Sequence, residues 1–329
     1  MKFTRDSLRI DPAAETARIV ERMKKQILVE LKREGAIVAI SGGVDSSVCA
    51  ALAARALGPE KVLGLALPER DSAEESKSLA EQLAGHLGIE FLEENISGAL
   101  EGFGCYRRRD EAIKRLFPEF GPGYKNKITL GSSILEKAGI NFFKLTIESP
   151  DGQIKEIRLP KKEYLQIVAA SNFKQRTRMA MAYYHAERLN RALIGTGNKD
   201  EHMLGFFVKY GDGGTDIKPI AHLFKMQVYQ LADYLQIPEG IRGRTPTTDT
   251  YSAEVTQTDF FFGVAFPILD PIWYAMENGI SVADTANALG LEEDQVERVI
   301  KDIHQKMRTT QYLRSKPLHI DENLTGCET

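Results

Sequence analysis

A chain of 329 residues with a formal net charge of −3 is long enough for one large domain and a sizeable packed core. It has no run of about 18 apolar residues, which argues against a membrane-spanning helix. Its only markedly basic stretch, "YRRRDEAIKR", is short, which argues against nucleic acid as the main partner. The three cysteines, Cys49, Cys105 and Cys327, lie too far apart for a disulfide framework or a zinc pattern. The opening "MKFTRDSLRI" lacks the apolar core of a signal peptide, so a cytoplasmic location is expected.

In chain order, Asp11-Pro12 predicts a helix start, with Asp11 as cap and Pro12 at the first position. Ile19, Met23, Ile27 and Leu31 recur at fourfold spacing and give that helix one apolar face. Residues 36–41 read as a buried strand, 44–57 as a helix, 61–67 as a second strand and 72–87 as a helix. "GIEFLEENI" supplies a third strand. Strands alternating with helices predict an α/β fold, a mostly parallel sheet with helices on both faces. Residues 98–171 break the alternation and read as an insertion. Within it "GPGYKNKITLGSS" reads as a loop or lid, and "NFFKLTIESPDGQIKEIRLP" as a hairpin turning at "SPDGQ". A long helix at about 161–190, a short strand "RALIG" and a helix near 223–235 follow. The tail, about 280–329, is helical; its "SVADTANALG" and "EEDQVERVIKDIHQKM" have helix-turn-helix spacing, but the acidic outer side of the second would repel phosphate. The whole of 1–329 is expected to be one domain carrying that insertion.

The chemistry starts at "AIVAISGGVDSSVCAALAAR", where a buried strand becomes a helix. Gly42 and Gly43 let the backbone approach a ligand, and the helix start directs free N–H groups and a positive dipole end at the same point. Ser41, Ser46 and Ser47 add hydroxyls, which together suits a pyrophosphate-sized anion. No lysine follows the second glycine; Asp45 stands there instead. An acid beside phosphate calls for a divalent cation between them, hence Mg²⁺. Cys49, among small apolar residues of that helix, reads as a buried hydrophobe.

"SGGVDSS" resembles the pyrophosphatase loop of the ATP pyrophosphatase (PP-loop) superfamily, whose adenine nucleotide alpha hydrolase-like fold cleaves ATP between its α and β phosphates. The loop by itself does not choose among synthetases for GMP, argininosuccinate, asparagine and NAD or tRNA-modifying enzymes. "ALIGTGNKDEHMLGFFVKYGDGGTDIKPIAHLFKMQVYQLADYL" (192–235), preceded by "SNFKQRTRMAMAYYHAERLN", closely resembles the NAD synthetase family of the ammonia-dependent type. That resemblance spans roughly 15–97 and 170–275. It implies ATP-dependent amidation of deamido-NAD through an acyl-adenylate, with ammonia as nucleophile and AMP and pyrophosphate as products. It implies ATP contacts from Ser41, Gly42, Gly43, Asp45, Ser46, Ser47, Thr196 and Lys225, with Asp45 and Lys225 in catalytic roles. Asp45 and Glu201 would bind Mg²⁺, and Arg176, Lys209, Asp212, Asp216 and Thr247 would hold the acyl substrate. The residues also make independent sense: Glu201 starts a helix after a glycine-bearing strand end, where it can complete a metal site with Asp45.

Three departures from the family pattern gather on the acyl side. "PTTDTYSAEVTQTDFFF" keeps Pro246, Asp249 and Gln257-Thr258-Asp259 but places Phe260 where an acid is usual. "QYLRSKP" has Leu313 in place of a lysine, although Arg314 remains, and the insertion is longer than is usual there. A lid at 98–160 that selects the carboxylate would account for them, with extra packing between subunits as the alternative role for that segment. A related amide ligase acting on another carboxylate therefore stands as the alternative, ahead of a tRNA-modifying enzyme or a nucleotide sensor. No glutaminase constellation is visible, so free ammonia or a separate glutaminase partner is the implied nitrogen source. The resemblance also implies a homodimer, with the helices at 12–34 and 161–190 as candidate interfaces.

Overall fold

Apolar residues on both faces of one short strand set the architecture. In the computed structural model, which describes residues 3–136, 142–248, 250–318 and 320, β1 (Gly35–Ala39) sends Ala36 and Val38 into one core and Ile37 into another. Asp249 and Cys327 lie outside the described residues. Ahead of β1 runs α1 (Pro12–Lys25), where Asp11 Oδ1 accepts the N–H groups of Ala13 and Ala14 at 3.0 and 3.1 Å. Its last turn continues as a π-helical turn, Gln26–Glu30. Ile19, Met23 and Ile27 face inward as the spacing predicts, whereas Leu31, past the final turn, is 38 % exposed.

After β1 come α2 (Val44–Leu57), β2 (Val62–Ala66), α3 (Glu74–Leu87) and β3 (Glu90–Glu93). Then follow α4 (Ser97–Gly102), α5 (Cys105–Lys114), β4 (Lys125–Leu130), β5 (Phe143–Glu148), β6 (Ile154–Arg158), α6 (Lys161–Arg188) and β7 (Arg191–Ile194). The chain closes with α7 (Lys199–Leu204), α8 (Lys225–Tyr234), α9 (Glu239–Arg242), α10 (Phe266–Glu277), α11 (Val282–Leu289), α12 (Glu293–Thr309) and α13 (Gln311–Arg314). The main sheet is parallel in the order β3-β2-β1-β7. One face is covered by α1, α2, α3 and α8, the other by α5 and α6. Consecutive strands grow to one side of β1 and the chain later returns to its other side. That reversal opens a crevice at the carboxyl ends of β1 and β7, where ligands bind in such sheets.

One expectation needs correction. "KNKITL", read as part of a loop or lid, is strand β4, paired antiparallel with β5 in a three-stranded sheet of order β4-β5-β6. Its Lys-Asn-Lys start, flanked by Gly and Pro, carries little strand propensity. Tertiary partners override it: Asn126 and Ile128 are fully buried, and Asn126 N–H donates to Ser252 Oγ at 2.9 Å. This sheet packs its inner face on Phe117, Ile167, Tyr251 and Val255. The hairpin itself forms as expected, turning over 149–153.

The two tail helices do not present a reading helix. Val296, Val299 and Ile303 of α12 are buried against Trp273 and Ile272 of α10, so this pair is packing. No helix among the described residues is long and apolar enough to cross a membrane.

Candidate active site

The loop after β1 is shaped from within. Gly42 sits at φ +74°, and a Cβ there would lie 2.7 Å from the Ser76 carbonyl oxygen, so only glycine fits. The hydroxyls of Ser46 and Ser47 donate to Gly43 O at 3.0 and 2.8 Å, which turns the backbone into α2. Ser41, Gly43, Asp45 and Ser46 line a cavity of about 700 Å³, within the size range of small-ligand sites. Gly42 and Ser47 are buried and support the loop rather than forming its wall.

Across the crevice, the loop after β7 carries the partner groups. Asn198 caps α7: its Oδ1 accepts Glu201 N–H at 3.0 Å, and Glu201 Oε2 accepts Asn198 N–H at 3.2 Å. The same Asn198 donates through Nδ2 to Asp45 Oδ1 at 2.9 Å, so one side chain holds both expected acids. The other oxygen of Asp45 forms an ion pair with Lys225 Nζ, and Lys225 is only 1 % exposed. Gln257 Nε2 donates to Glu201 Oε1 at 3.2 Å. Burial and the charge of Asp45 push the Glu201 carboxyl up to about 8. Burial alone would lower the Lys225 ammonium, but the charges of Asp45 and Glu201 outweigh it and raise it well above its ordinary value. Asn198 was legible in the N-x-x-E capping box of "NKDE", although its bridge to Asp45 was not.

Lys225 is positioned from behind. It opens α8, and its N–H donates to Asp200 Oδ2 at 2.7 Å while Met226 N–H donates to Asp270 Oδ2 at 2.8 Å. Both acids are fully buried, and each keeps a second oxygen without a protein partner. Burial pushes Asp200 up to about 7 and Asp270 well above the usual carboxylate range. An acid inside the apolar stretch "FPILDPIW" is the sequence signal that marks Asp270.

Thr196, Arg176, Lys209, Asp212 and Thr247 also contribute to the cavity wall. Arg176 Nε donates to Lys209 O at 3.2 Å, and Asp212 Oδ1 accepts Val208 N–H at 2.9 Å. Lys209 Nζ donates to the carbonyls of Tyr312 and Ser315 at 3.0 and 2.8 Å and so ties the tail to this turn. Asp216 is not on the wall: its carboxylate accepts Leu193 N–H at 2.7 Å and Tyr183 Oη–H at 3.1 Å and anchors β7. Phe260 and Leu313 do face the cavity. Arg314 donates to the carbonyls of His202, Met203 and Met307 and holds the tail. Cys49 is fully buried, and burial drives its thiol well up, consistent with a core residue.

A pyrophosphate-sized loop that carries one carboxylate at the switch point of a parallel sheet, facing a second carboxylate and a buried lysine, is the architecture of the adenine nucleotide alpha hydrolases. The family model described as NAD synthase matches residues 16–120 and 121–317. The chain belongs to the NAD synthase family, whose members are ATP-dependent carbon–nitrogen ligases. It is 47 % identical over 311 residues to the NH(3)-dependent NAD(+) synthetase of Mesorhizobium japonicum, covering 94 % of this chain and 97 % of that one. It is 48 % identical to the Rhizobium rhizogenes protein of the same description, covering 95 % and 94 %. Alignments of that extent run through 98–171, beyond the span that the motifs alone suggested. The insertion is therefore shared with these relatives. Among solved structures, the NH3-dependent NAD synthetase from Campylobacter jejuni shares the fold at TM-score 0.61 and 21 % identity, covering 95 % of this chain and 100 % of that one. The NMN synthetase from Francisella tularensis does so at TM-score 0.65 and 22 % identity, covering 95 % and 99 %.

Proposed function

We propose that this protein converts deamido-NAD to NAD, using ATP and ammonia and releasing AMP and pyrophosphate. The observation that carries this reading is the Asp45–Lys225–Asn198–Glu201 cluster facing the "SGGVDSS" loop, in a chain nearly half identical to two proteins described as NH(3)-dependent NAD(+) synthetases. Fold likeness by itself does not select the carboxylate, since NAD and NMN synthetases share it.

The residues act through charge and position. The loop N–H groups and the start of α2 would receive the β and γ phosphates, and Lys225, on the cavity wall and held charged by Asp45 and Glu201, would neutralise them. Asp45 and Glu201 fit a divalent cation by the chemistry of their donors: both offer hard carboxylate oxygens, and Asn198 ties the two residues together. Mg²⁺ held there would screen the repulsion between two anions as the carboxylate meets the α-phosphate. Thr196, on the cavity wall, would contact the adenosine part, and Arg176, Lys209, Asp212 and Thr247, on the same wall, would hold the acyl partner. Asp216 supports that site through β7. Ammonia enters free or from a separate glutaminase.

Incubation with ATP, Mg²⁺, ammonium and deamido-NAD tests the reading. NAD and pyrophosphate should appear in equal amounts; pyrophosphate formed only with a different carboxylate would assign the site to another amide ligase.

Two further expectations attach here. Among the described residues, none of β4, β5, β6 or their turns lines the cavity, which supports a buttress rather than a lid. Shortening the "SPDGQ" turn should change the KM for ATP and for deamido-NAD by no more than about twofold, as for surface changes generally. Steady-state kinetics showing a shift for deamido-NAD alone would restore the lid. We also propose a homodimer in which α6 takes part, supported by Leu165 and Tyr184, 54 % and 57 % exposed on that helix. Sedimentation velocity at micromolar concentration should give twice the mass of one chain; a fully active monomer would contradict it.

A further inference from the structure

Away from the reacting groups, a second set of charges is buried where the inserted segment meets the sheet. Glu69 and Asp71 lie in the loop after β2, Arg109 on α5 and Lys174 on α6. Lys174, Glu69 and Arg109 are 1 %, 4 % and 6 % exposed. Lys174 Nζ donates to Glu69 Oε1 at 2.9 Å, to Asp71 Oδ2 at 2.7 Å and to the carbonyl oxygen of Thr250 at 2.9 Å. Arg109 pairs with the same Asp71 oxygen, and Tyr106 Oη–H donates to Glu69 Oε2 at 2.8 Å.

Stability is a poor reason for such a cluster, because buried ion pairs often do no better than apolar residues of similar volume. Geometry is a better one. All three ammonium protons of Lys174 have acceptors, and the third acceptor is a backbone carbonyl in the segment 246–257. That segment contributes Pro246, Thr247 and Tyr251 to the cavity wall, and its Gln257 reaches Glu201. Among its described residues the internal pairing is one bridge, Thr247 to Thr256, so its position is set by anchors: β4 holds Ser252 and Ala253 through Asn126, and Lys174 holds Thr250 at the edge nearer the cavity residues 246–248.

We infer that Lys174 is a positioning residue: by holding the Thr250 carbonyl it fixes segment 246–257 over the acyl end of the cavity. Arg109, brought in by the insertion, neutralises the second acid so that Lys174 keeps this reach. The choice of assay rests on the NAD synthetase reading; the structural role does not.

Two charge-balanced double variants separate positioning from stability. E69Q/K174M and D71N/R109M each delete one buried acid and one buried cation, but only the first removes the donor to Thr250. E69Q/K174M should raise the KM for deamido-NAD by about ten- to a hundredfold and speed amide exchange across 246–257. D71N/R109M should leave both near wild type even if its Tm falls as far. Equal effects in the two variants, or none in the first, overturn the inference. If E69Q/K174M does not fold, Lys174→Gln against D71N is read in the same way. If the wild-type protein forms no NAD, the activity reading fails, and the exchange measurement still decides the positioning role.

Discussion

Asp45→Asn is expected to lose about two to three orders of magnitude in kcat and also to lose stability, and the two losses should separate in a double variant. An acid in the first turn of a helix would ordinarily be replaceable at little cost to folding. Here the carboxylate also neutralises Lys225, which is 1 % exposed and has no other ion-pair partner within contact distance among the described residues. Removing one partner leaves a buried charge, at a cost of about 3–5 kcal/mol. Asp45→Asn/Lys225→Met removes both charges and should regain most of the lost Tm. It should regain no pyrophosphate release. Thermal melts and a pyrophosphate assay on the three proteins check this; a double variant that recovers activity would remove both residues from the reacting site.

Glu201→Gln should move stability and activity in opposite directions. The Glu201 carboxyl, ordinarily near 4.5, is raised to about 8 by burial and by Asp45. A raised acid favours folding while protonated, and that contribution is lost as pH climbs from about 4.5 through about 8. In metal-free buffer the wild type should therefore lose stability over this window, and Glu201→Gln should lose less. Glutamine preserves the capping box with Asn198. The Gln257 amide can rotate to accept from it, because Gln257 Oε1 is buried without a partner. Mg²⁺-dependent turnover should nevertheless fall about a hundredfold, since a neutral ligand replaces a charged one. A lower Tm at pH 8 with activity intact would argue against the acid pair as a cation site.

Legibility differed by region for physical reasons. Around β1, α2, β2 and α3 the apolar period, the paired glycines and the caps all pointed to one answer, and the structure places those elements within two residues of the expected bounds. Between 98 and 171 local signals conflicted: β4 is a strand only because β5 and Ser252 meet its polar backbone and Asn126. Among the expected site residues, Ser41, Gly43, Asp45 and Ser46 of the glycine loop and those on the "GTGN" and "KYGD" turns converge on one cavity, while Gly42 and Ser47 lie behind it. Asp216, on the same stretch, is drawn off it by the amide of Leu193.

By itself the sequence determined the parallel α/β core and the pyrophosphate loop with its acid, and it marked Glu201 and Lys225 as candidates for the same site. Each of these is written in local form, as periodicity, glycine placement or a motif of a few residues. Tertiary structure alone decided what surrounds them: that Asn198 joins the two acids, that Asp200 and Asp270 hold the start of α8, and that Lys174 reaches Thr250. Those groups lie up to 153 residues apart, as Asn198 and Asp45 do. Periodicity and capping report only on neighbours along the chain, whereas such pairings exist only once burial has stripped water from the groups and each must find a protein partner.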